Sequence, residues 1–299
     1  MSMGVCKGDT ISENRHARHG RGTEQDPAYT YPAWIFRVLC FPSPSSPRFY
    51  SFIISQASES MSRVVAVDLD DVLAQTNSAA CAWHNDTYGT DMTLSSFYYY
   101  HWWKNPLWGS PKEALMKSEA FYRSSKFADL APVPGAVAGV NALRAMGVRL
   151  AIVTARDASQ RDLTTTWVKK HFNDAFDGIY FTGELATLKG KWNSGQVISG
   201  GKAAVIHALG ARILIDDSVE NAFQCAEQQI ETLVFGNYAW NQRRSLISNE
   251  LDRISFARRR ELDANNWWET DLATLPPQAH RVVDWNAVVS WVRDHPNRM

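Results

Sequence analysis

The segment Val64-Val-Ala-Val-Asp-Leu-Asp-Asp-Val-Leu73 decides what fold this chain can adopt. Its four leading apolar residues read as a short buried strand, and three carboxylates then crowd into the next four positions, where strand gives way to loop. Asp68 and Asp70 are two apart, so on an extended segment their side chains share a face. Carboxylates that close repel one another, and Mg²⁺, which takes hard oxygen ligands, is the simplest ion to sit between them. The segment is therefore a candidate centre for phosphoryl transfer.

The same motif of apolar strand, polar tip and helix recurs downstream. Val148–Val153 is a buried strand whose tip carries Thr154-Ala155-Arg156, followed by a helix to about His171 that Asp157 or Ser159 can cap. Phe176–Phe181 supplies another strand, and Gly200-Gly201-Lys202 opens a helix that stops near Gly210. Ala211–Ile215 is a strand ending in Asp216-Asp217-Ser218, with a helix over Val219–Gln228 and a strand over Glu231–Phe235 behind it. This order predicts an α/β fold built on an open parallel sheet, whose site lies beyond the strand C-termini. All three polar tips fall at that rim.

The rest divides around this core, with residues 61–74 and 131–240 forming it. Residues 75–130 read as a small helical cap inserted after the first strand: a helix from Ala74 to about Tyr88, then the aromatic run Phe97–Trp103, then Trp108 and a helix opened by Pro111. Two uses of those aromatics stand open, packing inside the cap and contact with substrate. Residues 241–299 are a C-terminal segment packing on the core. In it Gly236-Asn-Tyr-Ala-Trp-Asn241 leads in as an exposed loop, Arg258-Arg-Arg260 reads as a solvated face, Arg281–Val283 as a short strand and Trp285–Val292 as a closing helix. Residues 1–60, with their scattered arginines and Pro42-Ser-Pro-Ser-Ser-Pro47, read as a disordered or dispensable extension ahead of Met61, and only weakly as a mitochondrial leader.

Composition narrows the partners. Thirty-one basic and 31 acidic side chains cancel, so no global field favours a nucleic acid polymer or an acidic membrane. No run approaches the roughly 20 apolar residues of a membrane helix. Cys6, Cys40, Cys81 and Cys225 are too scattered for a disulfide framework or zinc site, which suits a reduced, cytoplasmic setting. Without a Gly-x-x-x-x-Gly-Lys-Ser/Thr loop, triphosphate hydrolysis of that type is unsupported.

Taken in order, Asp68-Leu-Asp-Asp-Val-Leu73, Thr154, Lys202 and Asp216-Asp217 resemble the four motifs of the haloacid-dehalogenase-like (HAD) hydrolase superfamily, over about residues 61–235. The inserted cap, Thr154-Ala-Arg156 and the Phe235–Asn241 segment further resemble the 5′(3′)-deoxyribonucleotidase group. The resemblance implies a Rossmann-like core and a Mg²⁺-dependent phosphomonoester hydrolase acting through an aspartyl-phosphate. Asp68 is then the nucleophile and Asp70 the acid that protonates the leaving oxygen and the base that activates water. The second Asp is characteristic of the superfamily's phosphatases and phosphotransferases. Carbon–halogen hydrolases lack it, because a departing halide needs no proton, so dehalogenation is disfavoured.

The same resemblance puts Asp216 on the metal with Asp68 and the Asp70 backbone carbonyl. Asp217 supports the metal shell or orients Lys202, and a swap with Asp216 stays open. Thr154 and the N–H of Ala155 hold a phosphate oxygen. Lys202 neutralises charge beside Asp68, although Lys189 and Lys191 lie in the same loop. Arg156 contacts either substrate or a carboxylate, and His84 and His101 read as packing residues. The substrate is a small phosphoester, with a nucleoside monophosphate ahead of a sugar phosphate. A non-catalytic binding protein on the same scaffold, transfer to an acceptor other than water, and a homodimeric assembly are the options the sequence leaves standing.

Overall fold

Among the described residues six strands, all parallel, form one sheet, in the order β3 (Gly178–Phe181), β2 (Arg149–Thr154), β1 (Val64–Val67), β4 (Ile213–Asp216), β5 (Glu231–Phe235) and β6 (Ala279–Val282). The computed structural model describes residues 63–182, 201–263 and 265–298. The expected extension over 1–60, with Cys6 and Cys40, and the alternative lysines Lys189 and Lys191, lie outside the described residues.

Between β1 and β2 run α1 (Thr76–Tyr88), α2 (Pro111–Tyr122), α3 (Ser125–Ala128) and α4 (Ala136–Ala145). Helices α5 (Arg161–Phe172), α6 (Gly201–Ala208) and α7 (Val219–Glu227) follow β2, precede β4 and follow β4. Past β5 come α8 (Phe256–Leu262) and α9 (Trp267–Thr270), and α10 (Trp285–Asp294) follows β6.

Period-two alternation assigns each face of the sheet. Val65, Val67, Ile213 and Ile215 point to one side, into a core shared with Val140 and Leu143 of α4 and Trp285, Val288 and Val292 of α10. Ala66, Val153 and Leu214 point to the other, against Ala203 and Ile206 of α6 and Cys225 of α7. Gly139 lets α4 lie close to α10, because a Cβ there would stand 2.5 Å from the Trp285 ring. The strands read as continuous apolar runs because helices cover both faces.

The chain builds outward from β1 through β2 to β3, then returns to β1's other edge and builds β4, β5 and β6. The reversal leaves a crevice at the C-terminal ends of β1 and β4, where ligands of such sheets bind. Register decides what meets there. Val67 lies opposite both Ile152 and Ile215, so the next residue, Asp68, falls beside Asp216 and close to the end of β2. The Asp68 N–H continues the ladder onto the Ile215 carbonyl at 2.8 Å.

The sixth strand is the one read as Arg281–Val283, shifted two residues earlier at its start. One reading of the C-terminal segment needs correction. Gly236–Asn241 is not an exposed loop: Trp240 and Asn241 are buried, and Trp240 stacks on Tyr238 with ring centres 4.2 Å apart. Asn241 Nδ2 donates to the carbonyls of Phe235 and Gly236, which folds the segment back under the site. Periodicity carried no sign of this, because the segment is also tied to distant loops, Tyr238 donating to the Asp71 carbonyl and Trp240 to the Asp217 carboxylate.

Candidate active site

Leu69, Val72 and Leu73 are fully buried and pin the loop after β1 from below. The turn between them is tight. The N–H groups of Leu73 and Ala74 bond back to the Leu69 carbonyl, and Asp71 takes a left-handed conformation at φ 58°. From the far end of the chain, Trp285 Nε1 donates to the Val72 carbonyl at 2.9 Å. Asp71 accepts the Asn77 N–H at the start of α1, so one carboxylate caps the helix that leads into the cap region.

Five acidic side chains gather here: Asp68, Asp70, Asp71, Asp216 and Asp217. Two cations face them. Lys202, 1 % exposed, places Nζ 2.7 Å from Asp68 Oδ2 and 2.7 Å from Asp216 Oδ2. Arg156 grips Asp70 in a fork, with Nη2 to Oδ1 at 2.7 Å and Nε to Oδ2 at 3.0 Å. Its Nη1 donates to Thr164, and its guanidinium lies over the Phe127 ring at 4.6 Å. Thr76 Oγ1 also donates to Asp70. Of the two roles open to Arg156, this structure displays the carboxylate pairing.

Electrostatics divides the carboxylates. Burial, with Asp216 and Asp70 alongside, pushes the Asp68 carboxyl up to about 7 against the pull of Lys202. Burial likewise raises Asp71 and Asp217 well above the usual range, with neighbouring aspartates adding to it. Burial works on Asp70 in the same direction, yet Arg156 and Thr76 hold it below the usual range.

Ligand atoms of Asp68, Asp216 and Asp217 all lie within 4.8 Å of one another, and all three residues are buried. Buried carboxylates in excess of their cations, offering only hard oxygen donors, fit a divalent cation of the Mg²⁺ kind and not a soft transition metal. Asp216 is held for such a role by Ser218 N–H at 2.8 Å and Asn221 Nδ2 at 3.0 Å, both from the start of α7. Asp217 accepts Trp240 Nε1 at 2.6 Å. Lys202 bonds to Asp216 and Asp68, and Asp217 is oriented from the other side by Trp240.

Thr154 is fully buried at the end of β2, with its Oγ1 accepting the Arg156 N–H at 3.2 Å. Ala155 and Arg156 reach the wall of a cavity of about 600 Å³. Asp68, Asp70, Asp71 and Asp217 line one part of it, and Tyr100, Trp102, Trp103 and Tyr122, from the segment between β1 and β2, line another. The aromatic run therefore splits. Phe97, Tyr99 and Trp108 are buried packing residues, while Tyr100, Trp102 and Trp103 face the cavity. His84 is a packed histidine, whereas His101, also read as one, lies on the cavity wall; each is bonded to a hydroxyl (Thr90 and Ser245) and pushed down to about 4 by burial.

Sequence reasoning missed Asn221, Trp240, Thr76 and Phe127. Asn221 had a signal, three residues past the Ser218 cap of a helix that begins at the Asp pair. Thr76, six residues past Asp70 at the next helix start, and Trp240, inside the Phe235–Asn241 segment already singled out, had a positional signal as well, whereas Phe127 had none, since only the fold brings it near.

Strand order, with a buried aspartate at the end of the central strand facing a carboxylate pair on its neighbour, makes this a phosphatase of the haloacid-dehalogenase type. More narrowly, residues 62–243 match the family described as 5′ nucleotidase, deoxy (pyrimidine), cytosolic type C protein, and the chain belongs to that family. No curated protein matches the chain. Similar solved structures include a haloacid dehalogenase-like hydrolase from Streptococcus pneumoniae, at 14 % identity over 77 % of this chain and 98 % of that one, with a TM-score of 0.44. L-2-haloacid dehalogenase from Xanthobacter autotrophicus is 14 % identical over 78 % and 99 %, at 0.45. A HAD family hydrolase from Deinococcus radiodurans R1 is 16 % identical over 80 % and 97 %, at 0.45.

Proposed function

We propose that the protein is a Mg²⁺-dependent hydrolase of nucleoside monophosphates. The observation that carries this is one buried lysine bonding both Asp216 and Asp68, the latter lining an aromatic-walled cavity. Asp68 attacks phosphorus, and the bond from phosphorus to the ester oxygen breaks to leave an aspartyl-phosphate. Asp70 gives its proton to the departing oxygen. It then takes one from the water that attacks phosphorus, which frees phosphate and restores Asp68. The pairing with Arg156 favours the charged Asp70 of the second half-reaction, so proton donation in the first requires that pair to open. Lys202 holds Asp68 and the incoming phosphoryl group together, and Thr154 with the Ala155 N–H receives a phosphate oxygen.

Asp68, Asp216 and Asp217, with the Asp70 carbonyl, would hold Mg²⁺, which supplies neutralisation of phosphoryl charge. Tyr100, Trp102 and Trp103 offer faces on which a base stacks, an interaction of about 1–3 kcal/mol per base. They also shelter the transfer from bulk water.

The test is phosphate release by the full chain from nucleoside monophosphates and sugar phosphates in Mg²⁺, beside Asp68→Asn. Turnover of at least one nucleotide, abolished by chelation and by the variant, is expected. The variant keeps its fold, because an uncharged amide relieves a buried charge that the site disfavours. Full activity in Asp68→Asn would remove it as nucleophile, and release from no nucleotide would remove the substrate class.

A further inference from the structure

The aromatic wall of the cavity is not self-supporting. Asn105 holds the backbone of Tyr98 and Tyr99, and Trp102 donates to Asn77 and lies on Trp108, but Tyr98, Tyr99, His101, Trp103 and Lys104 each also meet partners contributed by the chain after β5. Lys104, 6 % exposed, pairs with Asp252 at 2.7 Å and donates to the Leu246 carbonyl. The other oxygen of Asp252 accepts from the Ser248 N–H at 3.0 Å and the Ser248 hydroxyl at 2.9 Å, so the pair is fully bonded. The Asp252 backbone carbonyl receives Trp103 Nε1 at 3.0 Å, which aims one cavity residue directly. Ser245 Oγ meets both the His101 N–H, at 3.1 Å, and His101 Nδ1, at 2.7 Å. Tyr98 stacks on Phe256 of α8 and Trp268 of α9, and the Tyr99 hydroxyl donates to Asp271.

These partners begin at Ser245, whereas the family match ends at residue 243. A buried, fully bonded ion pair joining two loops fixes one arrangement of both, because half-made alternatives leave charges unpaired in the interior. We propose that residues 245–263 and 265–271 are an intrachain clamp on the substrate cavity, with Asp252 and Ser245 as positioning residues that hold His101, Trp103 and Lys104 and through them the aromatic wall. The clamp rests on the reading of that cavity as the nucleotide site. It makes the chain's selectivity for a base depend on a segment outside the matched region.

The experiment compares Asp252→Asn, Asp252→Glu and Ser245→Ala with the parent in two assays. Hydrogen exchange over residues 98–104 is read against residues 64–74. Steady-state kinetics use a deoxyribonucleoside monophosphate and glycerol phosphate, which has no ring to stack. Exchange over 98–104 is expected to quicken at least tenfold in Asp252→Asn and Ser245→Ala, with 64–74 unchanged. KM for the nucleotide rises about tenfold at nearly constant kcat, glycerol phosphate turnover is unmoved, and Asp252→Glu recovers part of the loss. Ser245→Ala introduces no unpaired buried charge, so it answers even where Asp252→Asn fails to fold. Unchanged exchange over 98–104, or equal losses on both substrates, overturns the clamp. A parent chain inactive on nucleotides but showing the exchange response overturns the substrate reading and leaves the clamp intact.

Discussion

Replacing Lys202 with methionine keeps the side chain's length and removes its charge at the most crowded electrostatic point of the molecule. In the parent, Nζ lies 2.7 Å from a carboxylate oxygen of Asp68 and of Asp216, with all three side chains at most 5 % exposed. At an effective dielectric constant near 20, each contact is worth about 6 kcal/mol of gross attraction. Much of this is offset by the cost of burying the ammonium, and removing one partner of a buried pair typically costs about 3–5 kcal/mol. The loss is expected to depend on pH. Burial already pushes the Asp68 carboxyl up to about 7 against the pull of Lys202, and losing that lysine raises it further, so the penalty in Lys202→Met is expected to be smaller at pH 6, where Asp68 takes up a proton, and to grow as pH rises. Added Mg²⁺ returns positive charge to the cluster, so it should stabilise the variant more than the parent. Urea unfolding followed by tryptophan fluorescence, with chelator or Mg²⁺ at both pH values, measures all of this. A loss below about 1 kcal/mol at pH 8 in chelator would refute the reasoning, because it would place the aspartates among solvated surface pairs.

Two further outcomes test the surroundings of the site. Trp240→Phe keeps the ring and deletes the bond to Asp217, so Mg²⁺ affinity should fall about 10–100-fold by calorimetric titration, the usual effect of losing a ligand's orienting partner. Unchanged affinity would free Asp217 from any part in holding the ion. His84 and His101 are kept neutral in the fold at about 4 against 6.5 when unfolded, so the unfolded chain binds more protons between those values. Their contribution to stability is complete above pH 6.5 and is lost as pH falls towards 4, at up to about 1.4 kcal/mol per pH unit per histidine. A His84→Asn, His101→Asn double variant should show a flatter decline over that window than the parent, and parallel curves would contradict the burial assigned to both rings.

The alternation of apolar runs with polar tips was enough to define the parallel sheet, because strands covered on both faces have no other way to be written. It was also enough to bring Asp68, Asp70, Thr154, Arg156, Asp216 and Asp217 to one rim, since residues at strand ends meet in any open sheet of this order, whereas Lys202, at a helix start, joined them only through the family resemblance. Which groups pair was not legible. That Lys202 bonds both Asp68 and Asp216, that Arg156 takes Asp70, and that Trp240 takes Asp217 depend on side-chain directions and on loops arriving from far along the chain. The aromatic segment makes the same point. Its composition marked it as important, but only tertiary packing, with Trp240 against Phe97, His84 against Trp108 and Asn77 on Trp102, decided that Tyr100, Trp102 and Trp103 face the cavity while Phe97, Tyr99 and Trp108 fill the interior. Local pattern determines elements because hydrogen bonding and burial act residue by residue. Partners are decided by three-dimensional closure, where each buried charge settles on whichever opposite group the whole fold brings within reach.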